Sequence, residues 1–176
     1  MRIFHIQASG ITEIQDLATL TAGGMPAQGF VWVACARREF EVTQAQVQTM
    51  LHTVCGQQLV DLHISDLINN QLPSHYDYTS QYDVLVFRRL AAGNRPTADL
   101  SDSGNPMAHG HARGGPPILR RIDTSPVGFA VFDRVLLTVH PTDCAVRDAY
   151  ASKLLQAASA ESRAAGARLP TSPADL

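Results

Sequence analysis

The fold is decided by residues 59–90, LVDLHISDLINNQLPSHYDYTSQYDVLVFRRL. The composition of Ile64–Asn69, followed by a second asparagine and Pro73, predicts a short helix. A short strand is predicted before it at Gln57–Asp61, and a turn after it at Pro73–Tyr76. β-branched and aromatic residues over Asp83–Leu90 predict a longer strand. A helix between strands is typical of an α/β domain.

Strand signals recur on both sides of this segment. Arg2–Gln7 is short and rich in apolar residues, and Gly29–Ala36 is a continuous apolar run of strand length, which indicates a buried strand. Towards the other end, Val127–Phe132 and Val135–His140 are separated only by Asp133-Arg134, which predicts a tight hairpin.

Two capping boxes predict where helices begin. The first is Thr12–Gln15, and the second is Thr43–Gln46, with Val42 and Val47 placed as a hydrophobic staple around it. Gly56 stands where a C-terminal cap of the second helix is expected. Apolar residues follow the two boxes at helical spacing: Ile14, Leu17 and Ala18 after the first, and Val47, Met50, Leu51 and Val54 after the second.

The last third of the chain contains an insertion and two more helix starts. Residues 91–121 are rich in Gly, Pro, Ala and Asp and show no apolar periodicity, which predicts a flexible insertion loop. Pro141–Asp143 opens a helix with Val146, Tyr150 and Leu154 on one face. Ser172–Asp175 has the pattern of another helix start, four residues before the chain ends. We therefore expect one domain over 1–168, a long helix beginning within 169–176, and a longer parent protein.

The composition narrows the possible classes of function. A chain of 176 residues can bury a core as one domain, and a net charge of −2 argues against a nucleic-acid partner. Cys35, Cys55 and Cys144 do not form a disulfide framework, which indicates a reducing compartment. No run approaches about 18 apolar residues, so no membrane span and no signal peptide are expected.

The order of these elements resembles the soluble N-terminal domain of the CorA family of magnesium and cobalt transporters. The resemblance covers most of the chain outside 91–121, and its specificity lies in the order of its motifs. The matching parts are Trp32, the helix Thr43–Cys55 with Gly56, residues 63–87, VGFAVFDRVLLTVHP at 127–141 and LPTSPADL at 169–176.

The resemblance implies an α/β/α sandwich with a mixed parallel and antiparallel sheet. It also implies a homopentamer in the full-length protein, attached to the cytoplasmic face of the inner (plasma) membrane by C-terminal helices. Those helices and their Gly-Met-Asn signature do not occur in residues 1–176. The chain would then be a soluble regulatory, ion-sensing domain for Mg²⁺ or Co²⁺, not an enzyme. Zinc-transporting relatives leave Zn²⁺ open as the cation.

The resemblance places Asp66 at a regulatory divalent-cation ligand between protomers. Mg²⁺ takes oxygen ligands, keeps several waters and needs only one or two carboxylates, so an interface carboxylate suits it. Ser65 replaces the preceding acid of the family pattern, which lowers the expected charge. Co²⁺ and Zn²⁺ are the alternative ions.

An alternative metal site is His109 with His111, because two imidazoles on a glycine-rich loop can converge on Zn²⁺, Co²⁺ or Ni²⁺. This would make the chain a metal chaperone. The other histidines are expected to be surface or strand residues and not ligands: His5, His52, His63, His75 and His140.

Catalytic interpretations have less support in the sequence. No nucleophile–base pair or phosphate loop stands out, and solvated positions are expected for the four acids Asp61, Asp66, Asp77 and Asp83. Cys35 and Cys144 are expected to be small buried residues. The pairs Arg37-Arg38, Arg88-Arg89 and Arg120-Arg121 are expected to form ordinary ion pairs. A stand-alone α/β enzyme or ligand-binding domain, with 91–121 as a lid over a pocket, remains the second hypothesis.

Overall fold

A computed structural model describes residues 1–23, 26–90, 124–142 and 144–176. The strands in these ranges are β1 (Arg2–Gln7), β2 (Gly10–Ile14), β3 (Phe30–Ala36), β4 (His75–Tyr78), β5 (Tyr82–Leu90), β6 (Thr124–Phe132) and β7 (Val135–His140). The helices are α1 (Leu17–Gly23), α2 (Arg37–Cys55), α3 (Asp61–Ile68), α4 (Ala145–Ala157) and α5 (Ala160–Ala164), with a 3-10 turn at Pro173–Asp175.

The strands form a single mixed sheet in the order β2-β1-β3-β7-β6-β5-β4. β3 and β7 pair in parallel at its centre, and the other neighbours are antiparallel. Every residue of β7 is buried, and so is every residue of β3 except Ala36, because helices cover both faces of these central strands. This confirms the predicted α/β fold with a mixed sheet.

Two apolar cores lie on opposite faces of the sheet. The larger core packs α1, α2 and α3 against one face, with Phe40, Met50 and Leu67 among its buried side chains. The smaller core lies under α4, where Ala151 and Leu154 contact apolar residues of β1, β3 and β7. The larger core therefore places α3 on one face of the sheet, while α4 covers only part of the other face.

The first predicted helix start is wrong. Thr12 lies in β2 opposite His5 of β1, because the two strands form a hairpin that pairs Gln7 with Gly10. The helix that follows, α1, begins at Leu17. Its cap is Asp16, whose Oδ1 accepts from the Thr19 amide at 2.8 Å.

The second predicted start is six residues late. α2 begins at Arg37, directly after β3, and the Thr43 hydroxyl donates to the Glu39 carbonyl inside the helix at 2.8 Å. Val42 is 86% exposed, so the proposed hydrophobic staple is also wrong. The buried face of this helix and its cap are confirmed, since Gly56 adopts a left-handed conformation with φ 70°.

The segment quoted at the start differs from its prediction in two places. α3 begins at Asp61, so the predicted strand over Gln57–Asp61 is wrong. The predicted turn at Pro73–Tyr76 runs into the edge strand β4, which pairs antiparallel with β5. Sequence reasoning missed β4 because a strand of four residues has too few alternations to stand out from a loop.

The remaining predictions concern the strand pair β6–β7, the insertion and the C-terminus. The hairpin is confirmed, with β6 starting earlier than predicted, at Thr124. The insertion 91–121 lies outside the described residues. At the C-terminus, Ser172 and Asp175 form a capping box around the 3-10 turn. Among the described helices, none is long and apolar enough to cross a membrane.

Candidate functional site

The candidate site is the contact of helix α3 with edge strand β4. His63 and Asp66 lie three positions apart on α3 and so share one side of the helix. His75 and Asp77 lie two positions apart on β4 and point to the same face of the sheet. The packing therefore brings two histidines and two aspartates together in two pairs.

The first pair is part of a fully satisfied network. The Tyr82 hydroxyl accepts from the Val60 amide at 3.0 Å and lies 2.9 Å from His63 Nδ1. Its own proton is therefore directed to Nδ1, which leaves the ring proton on Nε2, 3.1 Å from Asp77 Oδ2. This hydrogen bond from His63 is the largest cause of the lowered pKa of the Asp77 carboxyl group.

The second pair joins the predicted cation ligand to a histidine. His75 Nε2 lies 3.4 Å from Asp66 Oδ2, and the side chains are 28% and 14% exposed, respectively. The other ring nitrogen, Nδ1, lies 3.3 Å from the Pro73 carbonyl oxygen. Asp66 is thus a half-buried carboxylate with an imidazole beside it, and not a freely solvated acid.

Two arginines donate to backbone carbonyls near the site, Arg37 to one on β6 and Arg88 to two on the loop between α3 and β4. Arg37 donates to Pro126 O at 2.6 Å, and Arg88 donates to Asn70 O at 3.1 Å and to Leu72 O at 3.0 Å. The Arg88 contacts fix the end of α3 relative to the start of β4. Arg120-Arg121 lies outside the described residues.

The other two acids of the sequence prediction, Asp61 and Asp83, do not join the two histidine–aspartate pairs. Asp61 is exposed at the start of α3, and Asp83 lies on the opposite face of the sheet, where it accepts from the Tyr76 hydroxyl at 3.1 Å. Within the described ranges, no three His, Cys, Asp or Glu side chains are placed to hold one metal ion together. His109 and His111 lie outside the described residues.

Two histidines of the described residues are buried, His63 of the site and His140 outside it. His63 was expected on the surface or in a strand, yet it is a buried helix residue. His140 lies in β7, where burial lowers its pKa. Its Nδ1 lies 3.0 Å from Pro141 O, and Arg147 donates to its Nε2 at 3.3 Å. Both ring nitrogens are therefore engaged, so His140 is not placed to act as a base for Cys144, which lines the same groove.

The face of the sheet opposite α3 carries an apolar groove of about 720 Å³. Leu85, Phe87 and Phe129 of β5 and β6 line it, and its charged residues include Arg89 and Arg147. Phe87 is 61% exposed, which is unusual for a phenylalanine in a sheet. The groove is the part of this face that α4 does not cover.

Comparison with known proteins gives a result only at the level of structure. No protein-family model matches the chain, and no curated protein matches it in sequence. Among solved structures, the full-length CmaX protein matches with a TM-score of 0.57 and 11% identity, over 99% of this chain and 42% of its own. The ZntB cytoplasmic domain from Vibrio parahaemolyticus RIMD 2210633 matches with a TM-score of 0.54 and 11% identity, over 100% of this chain and 53% of its own.

The chain has the fold of these two proteins. This likeness confirms the fold that the resemblance to CorA-type domains predicted. The chain spans about half the length of either matched structure. At 11% identity the likeness concerns the fold, so residue roles depend on the geometry of this chain.

Of the five site residues, sequence reasoning singled out only Asp66 and missed the other four: His63, His75, Asp77 and Tyr82. The alternation of His75-Tyr-Asp77-Tyr is a period-2 pattern that could have placed the histidine and the aspartate on one face of a strand. No local pattern indicates that Tyr82 would reach His63, because that contact joins elements 19 residues apart.

Proposed function

We propose that the chain is the cytoplasmic, ion-sensing domain of a CorA-like divalent-cation transporter. The observation that carries this proposal is the fold, which is shared over nearly the whole chain with CmaX and with the ZntB cytoplasmic domain. The order of the sequence motifs points in the same direction. In this proposal the domain is not an enzyme, and transport belongs to the full-length protein at the inner membrane.

In this role, Asp66 binds the regulatory cation between protomers of a homopentamer. A carboxylate brought close to acids of a neighbouring protomer is repelled by them, and a bound divalent cation removes this repulsion. Loss of the cation then favours an arrangement with the protomers further apart. This is a population shift driven by differential affinity for the two arrangements.

The surroundings of Asp66 bear on the identity of the cation. Mg²⁺ prefers an octahedral shell of oxygen atoms and gives up its waters reluctantly. Asp66 is only 14% exposed and has an imidazole nitrogen 3.4 Å away, so a cation bound to this carboxylate meets a nitrogen ligand as well as an oxygen ligand. Co²⁺ and Zn²⁺ accept mixed nitrogen and oxygen ligands and therefore fit this carboxylate better than Mg²⁺.

The proposal is tested by titrating the purified chain with Mg²⁺, Co²⁺ and Zn²⁺ in a calorimeter, with sedimentation velocity to follow association. Asp66→Asn should weaken cation binding at least about tenfold, since even outer-shell changes at metal sites cost that much. Asp61→Asn, on an exposed position of the same helix, is the matched control and should bind normally. Equal binding by both variants, or no binding by the unsubstituted chain, would overturn the proposal.

A second candidate, binding of an apolar small molecule, is favoured by the groove of about 720 Å³ on the other face of the sheet. Trp32 is the single tryptophan of the chain and lines this groove, so its emission reports occupancy. Decanoate is a suitable probe, because its chain matches the apolar wall and its carboxylate can pair with Arg89. A saturable change in emission that Leu85→Lys removes supports this function, and an unchanged emission contradicts it.

A further inference from the structure

The two histidine–aspartate pairs between α3 and β4 look alike in distance but differ in chemistry. In each pair, an imidazole Nε2 faces a carboxylate Oδ2, at 3.1 Å for His63 and Asp77 and at 3.4 Å for His75 and Asp66. The two pairs differ in the partner of the second nitrogen of the imidazole ring. This partner decides which ring nitrogen carries the proton.

In the His63 pair, the second nitrogen faces a hydroxyl that already accepts from a backbone amide. The Tyr82 proton therefore goes to His63 Nδ1, and Nε2–H donates to Asp77. Each atom has a complementary partner, so this pair needs nothing more. It is a structural cross-link between α3 and β4.

In the His75 pair, the second nitrogen faces a carbonyl oxygen, which can only accept. The ring proton of neutral His75 is therefore held on Nδ1 by Pro73 O, and the lone pair of Nε2 faces Asp66 Oδ2. Two acceptors then face each other. At 3.4 Å they are also further apart than the 2.7–2.9 Å typical of a charged N–H donor bonded to a carboxylate.

We propose that His75 Nε2 and Asp66 Oδ2 are two ligands of one divalent transition-metal ion, Zn²⁺ or Co²⁺. The inference rests on the proposed role of Asp66 as a cation ligand and adds the residue that selects the class of cation. An ion with tetrahedral ligands at about 2.1 Å separates its ligand atoms by about 3.4 Å, which is the spacing of these two atoms.

The second nitrogen of His75 has the environment that ligating histidines usually have. Such histidines almost always donate their other N–H to a carboxylate, a backbone carbonyl or a water, which orients the ring and raises its basicity. Pro73 O fills this role for His75. The proline belongs to the loop held by Arg88, which donates to Leu72 O, so the ring direction is set by the fold.

The other coordination positions of the ion receive no His, Cys, Asp or Glu side chain from the described residues. They are therefore filled by water or by a donor of a second protomer. The exposed fractions of 28% for His75 and 14% for Asp66 leave the pair reachable from solvent. Open positions suit a sensing site, since the ion can be exchanged.

The test is a Zn²⁺ and Co²⁺ titration of the whole chain carrying His109→Ala and His111→Ala, which removes the competing histidines. Calorimetry gives affinity and stoichiometry, and the visible absorption of bound Co²⁺ reports nitrogen ligation. One ion is expected to bind per chain. His75→Ala should lower the affinity at least about tenfold and change the Co²⁺ spectrum, while His52→Ala, on an exposed turn of α2, should change neither.

His75→Lys separates ligation from simple ion pairing. This substitution places a positive charge beside Asp66 but offers no lone pair at neutral pH, so the metal-free chain should be at least as stable as the unsubstituted one while Zn²⁺ binding is lost. Circular dichroism and thermal unfolding in a chelator confirm that each variant is folded.

The outcomes distinguish this inference from the proposed function. If Asp66→Asn abolishes cation binding while His75→Ala and His75→Lys leave affinity and spectrum unchanged, His75 is not a ligand and the function stands. If neither position affects binding, or no cation binds, both proposals fail together. Loss of binding in all three variants, with the His52→Ala control unaffected, supports both.

Discussion

Tyr82→Phe tests the network that joins α3 to β4 and β5. The substitution removes one oxygen atom and keeps the ring, which stacks on Phe132 with centroids 4.6 Å apart. The Val60 amide and His63 Nδ1 each lose their partner, at 3.0 Å and 2.9 Å, in a site where Tyr82 is only 6% exposed. The core packing should therefore survive while two polar groups become unsatisfied.

The magnitude follows from these two groups. Leaving a buried donor or acceptor unsatisfied costs about 1–3 kcal/mol, and some relaxation is expected around His63, so we expect a loss of about 2–4 kcal/mol. For a chain of this length, 1 kcal/mol corresponds to about 2–4 °C in Tm, which gives a decrease of roughly 4–16 °C.

The assay is urea unfolding followed by the emission of Trp32, the single tryptophan, which is buried at 3% exposure. The midpoint should fall with an unchanged slope, because Tyr82→Phe alters stability and not the surface exposed on unfolding. Tyr78→Phe is the matched control: Tyr78 is 69% exposed on the neighbouring strand, and the change should stay within about 0.5 kcal/mol. Equal free energies of unfolding for the two variants would refute the network.

Three further predictions concern the backbone, an acid and a cysteine. Gly29→Ala should destabilise the chain by more than about 3 kcal/mol in calorimetry, because its Cβ collides with a backbone oxygen of β1 at φ 80°; Gly166→Ala, at φ 92° with open space, should cost only about 1–2 kcal/mol. The pKa of Asp77 is lowered from its ordinary 3.8, so its stabilisation is present above that pH and is lost below it. The stability difference between the wild type and Asp77→Asn should accordingly shrink from pH 6 to pH 3, and a constant difference would contradict this. Burial raises the pKa of Cys35 to about 12, so it should resist Ellman's reagent at pH 8 until urea unfolds the chain, and fast labelling of the native chain would disprove its burial.

The elements that could be predicted are those with strong local patterns. The apolar run at Gly29–Ala36 and the hairpin after Val127 were correct because a buried strand needs several consecutive apolar residues. The Thr12 and Thr43 capping boxes failed because the same four-residue pattern also fits a strand or a helix interior. At those two positions the hairpin β1–β2 and the direct entry from β3 into α2 determined the outcome.

The candidate site was predictable only in part. Asp66 was placed on a short helix from the sequence, and the structure agrees. Its neighbour His75 was set aside as one of five scattered histidines, each expected to be a surface or strand residue and not a ligand. As a residue of β4, it points to the same face as Asp77, towards α3.

By itself, the sequence determined the class of fold and the order of most elements. Hydrophobic periodicity is a local property of the sequence, and any folded state of this chain must bury the apolar side chains that show it. The tertiary structure alone decided which side chains meet. The pairing of Asp66 with His75, and of His63 with Tyr82 and Asp77, depends on how α3 lies over an edge strand of four residues. A shift of one residue in that strand would turn both β4 partners to the other face of the sheet, and no local pattern specifies such a register.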